Sequence, residues 1–176
     1  MRGKVIIVGH SLGALVAVEI AKRYPRSVRS IILCSPPFYL PASSDGAQLP
    51  RTEAVLKSIY KTIYNHPEKF MKIVAPAIKY KLLDKAHTVS EENLYSYVEA
   101  LESAIINQTS YSDVLELTLP IIILYGTLDP VVRLKTLKQI VTANRSAKLV
   151  KVIASHEIRK TYRVAVVKEI NQHLED

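Results

Sequence analysis

Residues 4–25 read "KVIIVGHSLGALVAVEIAKRYP", and the way that stretch is parsed decides the fold. Lys4 to Gly9 is a short Val/Ile run, apolar on both faces, as a strand inside a parallel sheet would be. From Leu12 the spacing turns helical, and Pro25 ends it. Between them lies Gly9-His10-Ser11-Leu12-Gly13, which fits G-x-S-x-G. A serine on a sharp strand-to-helix turn projects its hydroxyl beyond the carboxyl end of the strand. Glycine two residues to either side lets strand and helix approach. The helix N-terminus beside it offers free N–H groups and a positive dipole end to a developing oxyanion. Neither G-x-G-x-x-G nor a Gly-Lys-Ser/Thr phosphate loop fits the same residues.

Working outward, three further runs are strand-like: "VRSIILCS" at 28–35, "PIIILYG" at 120–126 and the partly alternating "AKLVKVIA" at 147–154. Helical patterns at 12–24, 131–143 and 160–174 separate or follow them, which predicts an α/β fold with a mostly parallel sheet. The stretch 41–118 differs in showing amphipathic helical patterns and no strand. Val55, Ile59 and Ile63 share one helical face; Phe70, Ile73, Val74, Ala77 and Ile78 share another. A Thr88-x-x-Glu91 capping box precedes Leu94, Val98, Leu101 and Ile105. The loop "SPPFYLPASSDGAQLP" at 35–50 leads in. The expected organisation is a core from 1–40 and 119–176 with a helical insertion at 41–118.

A serine hydroxyl needs a base, and the base needs an orienting acid. Asp129 stands just beyond the strand in "PIIILYGTLD", and His156 follows the next strand in "VKVIASHEIRK". Both belong on the carboxyl side of the sheet with Ser11, where ligands of parallel sheets bind. Taken singly, Asp129 could cap the next helix and His156 could be a surface histidine. Their order and context favour a set. His10 is expected to point away from the serine, and Asp113 lies on the wrong side of its strand. The lone cysteine, Cys34, is expected to be a small core residue.

The 176 residues include one cysteine, which excludes an internal disulfide framework or a cysteine metal cluster, and no metal ligand spacing appears. No apolar run reaches membrane-spanning length, and the expected compartment is the cytoplasm. The net charge of +8 is concentrated outside 41–118, which holds eight basic and ten acidic residues. That charge is expected to lie on a solvated outer helix layer; without an RNA-binding or zinc-finger signature it does not argue for nucleic acid.

The segments "VIIVGHSLGA", "YPRSVRSIILCSPP", "PIIILYGTLDPVV" and "IASHEIRKTYRVAVVKEINQHL" together resemble an α/β-hydrolase of the lipase–esterase type with a helical cap. The resemblance implies a partial α/β-hydrolase fold, because the family's earlier strands have no counterpart before residue 4. It implies an ester or thioester hydrolase without a cofactor, acting on a small acyl ester. Ser11 would be nucleophile, His156 base, Asp129 its orienting acid and the Leu12 N–H an oxyanion donor. The family's second oxyanion donor comes from the part without counterpart. Ser155 stands where relatives often have glycine. Phe38, Tyr39, Ile59, Phe70 and Met71 are candidates for an acyl pocket. The strand at 4–9 would be an unpaired edge. A shortened chain, a separate N-terminal half or a homodimer through 4–9 would each account for it. The alternative to an enzyme is a catalytically impaired assembly or binding module.

Overall fold

The computed structural model describes residues 3–39, 58, 61–69, 72, 96, 99, 100, 103 and 107–175. The chain divides into two compact units, Met1–Pro41 with Thr109–Asp176, and Ala42–Gln108. In the second, residues 61–65 and 67–69 are helical and Ile63 is buried. The capping box Thr88-x-x-Glu91 and the acyl-pocket candidates Ile59, Phe70 and Met71 lie outside the described residues.

The first unit runs β1 (Val5–His10), α1 (Leu12–Arg23), β2 (Val28–Cys34), α2 (Ser110–Glu116), β3 (Ile121–Gly126), α3 (Leu134–Ala143), β4 (Ala147–Val152) and α4 (Thr161–Glu175). All neighbours pair in parallel and the order in space is β1-β2-β3-β4. The strands expected from the apolar runs are all present, each within one or two residues of its expected ends.

Burial along the strands follows from that order. β3 is buried throughout and β2 almost so, because each has a strand on both sides and helices above and below. β1 and β4 border the sheet and alternate less cleanly; Val5 is 53% and Val8 41% exposed. Tyr162 and Val166 of α4 pack on Ile32, Cys34, Ile122, Leu124 and Val152. Side chains alternate across a strand, so Ile31, Leu33, Ile121 and Ile123 face the opposite layer, where α1 packs on β1 and β2 with α2 beside it. Cys34 is fully buried in this core, and burial pushes its thiol up to about 12, which keeps it protonated and inert at neutral pH.

Three alanines of α1 are buried, Ala14, Ala17 and Ala21. Their short side chains let the helix lie close on the sheet. The closest point is at Gly9, where a Cβ would sit 2.3 Å from the Gly13 carbonyl oxygen and 2.7 Å from the Ala14 Cα. Gly9 is therefore obligatory. Gly13 differs from its expected role: a Cβ there meets nothing within 4 Å. One glycine of the pentapeptide serves packing, and the other does not.

Candidate active site

Ser11 sits between β1 and α1 with φ 52° and ψ −121°. That left-handed backbone is costly for any residue with a side chain, on the order of 1–3 kcal/mol. It is held by the Ser11 N–H donating to the Cys34 carbonyl at 2.9 Å and by the Ala14 N–H donating to the Ser11 carbonyl at 3.0 Å. A serine before a helix usually caps it with its own hydroxyl. Here no side-chain cap bond forms, and the hydroxyl is turned elsewhere. The N–H of Leu12, first residue of α1, has no intrahelical acceptor by geometry and lies next to that hydroxyl in sequence.

The Ser11 Oγ lies 3.0 Å from His156 Nε2, and His156 Nδ1 lies 2.9 Å from Asp129 Oδ2. A carboxylate only accepts, so Nδ1 carries the proton in the neutral ring and Nε2 is left to accept from Ser11. Asp129 is 7% exposed. Its Oδ1 accepts from the N–H of Val131 at 2.8 Å and of Val132 at 3.2 Å. Pro130 has no N–H, so these are the first donors after the acid. Burial by itself pushes the Asp129 carboxyl up. Hydrogen bonds from His156, Ser35 and Val131, with the histidine charge, more than offset it and hold the group below its ordinary value.

The loops after β3 and β4 are tied together before either side chain is considered. Thr127 N–H donates to the Val152 carbonyl at 2.8 Å and Leu128 N–H to the Ala154 carbonyl at 3.0 Å. A Cβ on Gly126 would stand 2.5 Å from the Ser155 oxygen and 2.7 Å from the Ala154 oxygen. The segment that leads to His156 thus runs directly over the end of β3, which only glycine permits. This contact is invisible in the sequence, where Gly126 reads as the ordinary end of a strand.

The His10 ring is turned to His156: Nε2 lies 2.8 Å from the His156 carbonyl oxygen, and the two imidazoles are 5.0 Å apart between centroids. The carbonyl accepts, so His10 Nε2–H donates. Asp113 is at the other end of the sheet on α2, bonded to Lys22 Nζ at 2.6 Å and Thr109 Oγ1 at 2.7 Å. Phe38 and Tyr39 follow β2 and are both buried. Among the described residues no helix is long and apolar enough to cross a membrane.

Solved structures with this fold include E-2-(acetamidomethylene)succinate hydrolase, with a TM-score of 0.62 at 18% identity over 99% of this chain and 68% of that one. The enol-lactonase from Burkholderia xenovorans LB400 gives 0.62 at 18%, covering 99% of this chain and 66% of its own. The thioesterase domain from the curacin biosynthetic pathway gives 0.52 at 18%, covering 99% and 66%. At such identities the likeness concerns the fold, and this chain spans about two thirds of the length of each. No curated protein matches the chain by sequence. The family model for serine aminopeptidase, S33, matches residues 1–159. A parallel sheet of this order, its strand–serine–helix turn and that match lead to one conclusion: the chain belongs to the serine aminopeptidase S33 family of α/β hydrolases.

Proposed function

We propose that this chain is a serine hydrolase that cleaves a small carboxylic ester or thioester through Ser11, His156 and Asp129. The observation that carries the reading is the unbroken hydrogen-bonded line from Ser11 Oγ through His156 to Asp129, at 3.0 and 2.9 Å. Ser11 Oγ attacks the acyl carbon while His156 Nε2 takes its proton. The oxygen of the tetrahedral intermediate accepts from the Leu12 N–H. Nε2–H then protonates the departing alcohol or thiol, leaving an acyl ester on Ser11, and water repeats the sequence to free the acid. Asp129 holds the imidazole in the required tautomer and balances the imidazolium charge. Phe38 and Tyr39 are the described residues assigned to the acyl group, and the second unit, Ala42–Gln108, is read as the helical cap, since α2 belongs with the sheet rather than with the insertion expected to run to 118. The chemistry needs no cofactor.

One observation favours a second reading, an assembly module. Among the described residues β1 borders the sheet, with Val5 and Val8 exposed, and that edge suits pairing through residues 4–9 with a second copy or a separate N-terminal half. Sedimentation as a monomer at micromolar concentration would exclude the second copy.

Intact-mass labelling with a fluorophosphonate tests the first reading. The native chain should gain one adduct, and Ser11→Ala and His156→Ala should gain none. A folded native chain that stays unlabelled would sink it.

A further inference from the structure

The strands β1 and β2 end alike. Ser11 follows β1 with φ 52° and Ser35 follows β2 with φ 49°, both in the left-handed region that favours glycine, and Ser35 is fully buried. One peptide group joins them. The Cys34 carbonyl accepts from the Ser11 N–H at 2.9 Å, and the Ser35 N–H of the same planar unit donates to the Leu124 carbonyl at 2.9 Å. The strained turn at Ser11 is thus fastened to β3 through a single rigid plate. Any rotation of that plate moves the acceptor that holds Ser11.

The Leu124 carbonyl carries a second donor. Tyr162, fully buried in the first turn of α4, donates its phenol to it at 2.9 Å. The same phenol oxygen lies 3.0 Å from Ser35 Oγ. Tyr162 packs on Ile32, Cys34, Ile122 and Leu124, where a phenylalanine would fill the same space. In that apolar cluster the hydroxyl is the polar exception, and both of its contacts are to the end of β2 and the carbonyl that receives it.

Tyr162 also belongs to the segment that brings His156. That segment closes on itself where Thr161 Oγ1 donates to the Ile153 carbonyl at 3.2 Å, and the Tyr162 N–H donates to the Arg159 carbonyl at 2.9 Å. The phenol therefore spans two parts that must stay together for Ser11 Oγ to remain 3.0 Å from His156 Nε2. One is the pair of strand ends that fixes the serine turn, and the other is the base of the loop that carries the histidine. Buried polar sets in which each member is paired are rigid and specify one arrangement.

We propose that Tyr162 is a positioning residue for the Ser11–His156 pair. Its phenol locks the Cys34–Ser35 peptide against β3 and ties that peptide to the start of α4. The lock stands on hydrogen bonds alone, while its effect on reactivity rests on the reading of Ser11 as nucleophile.

Two variants test it. Tyr162→Phe keeps the ring and removes the phenol oxygen. Ser35→Ala keeps the main-chain bonds and removes only the side-chain contact. Amide hydrogen exchange is measured at Ser11, at Ser35 and, as a reference inside β3, at Ile123, beside fluorophosphonate labelling as a function of probe concentration. In Tyr162→Phe the Ser11 and Ser35 amides should exchange on the order of tenfold faster, the scale of one net hydrogen bond, with Ile123 unchanged. Ser35→Ala should move the same two amides by less, because Tyr162 still holds the Leu124 carbonyl; should Tyr162→Phe not fold, this variant decides. The maximal labelling rate of Tyr162→Phe should fall on the order of tenfold, the scale of outer-shell support, with the half-saturating probe concentration unchanged. A native chain that does not label, with Ser11 and Ser35 amides that loosen in the variants, sinks the nucleophile reading and leaves the lock standing. Equal acceleration of all three amides would report a general loss of stability. That result, like unmoved Ser11 and Ser35 amides, overturns the proposal.

Discussion

His10 donates from Nε2 to the main-chain carbonyl of His156 at 2.8 Å, so the residue before the serine grips the backbone of the proposed base. The Ser11–His156 bond has to break whenever the serine is acylated, and the His10 bond does not. It keeps the base over the site through that interval. His10→Ala should slow fluorophosphonate labelling on the order of tenfold, the scale of outer-shell support. His10→Gln, whose amide can donate to the same carbonyl, should recover part of it. Equal rates for all three chains would dismiss the grip.

The two glycines of the turn should respond oppositely to a methyl group. Gly9→Ala drives a Cβ into the backbone of Gly13 and Ala14, with no flexible side chain to give way. A loss of about 3 kcal/mol or more is expected for overpacking of this kind. Gly13→Ala enters open space in the first turn of α1. Alanine is the better helix former, so a gain of roughly 0.5–1 kcal/mol is expected. Urea unfolding of both variants decides it, and a Gly13→Ala loss as large as that of Gly9→Ala would contradict the packing.

At Ser11 itself, stability and reactivity should part company. With φ at 52°, Ser11→Gly relieves a strained backbone and gives up only the hydroxyl. The variant should unfold at higher urea, by about 1–2 kcal/mol, while losing all labelling. A variant less stable than the native chain would mean that the turn is not strained.

Asp129 gives the molecule an acid-sensitive element. Its carboxyl titrates below its ordinary value in the fold. The stabilisation this brings is complete above the unfolded carboxylate value, about 3.9, and disappears as pH falls toward the folded one. Asp129→Asn lacks that component, so its stability should fall less steeply below about pH 4. It should also favour the wrong imidazole tautomer, with a loss of about 10⁴ in reactivity where that has been the only change. Urea midpoints across a pH series read the first effect, and parallel acid limbs for the two chains would refute it.

Much of this arrangement was legible in the sequence, for physical reasons. Short Val/Ile runs ending in polar loops announce parallel strands, and a serine between such a run and a helix, or an acid and a histidine just past two others, stands out. Two hydrogen bonds join Ser11, His156 and Asp129. His10, Ser35, Gly126 and Tyr162 did not stand out, because their contacts cross the sheet. His10 touches a carbonyl 146 positions away and Ser35 a phenol 127 away. Nothing in a local pattern marks a serine for φ 49° or a strand-ending glycine for a loop passing overhead. The His10 ring reaches over the end of the strand to the loop after β4.

The bond between Ser11 and His156 joins residues 145 positions apart, and this makes the site a timer for folding. The turn at Ser11 needs only the neighbouring β2, through its bond to the Cys34 carbonyl. His156 reaches it only after β2, β3 and β4 have each found their parallel neighbour. Such long-range pairings are the slow steps of folding, because loop closure must precede any reward. During refolding, circular dichroism should recover first and fluorophosphonate reactivity last. Ser11 reactivity would then mark the moment at which the last strand docks.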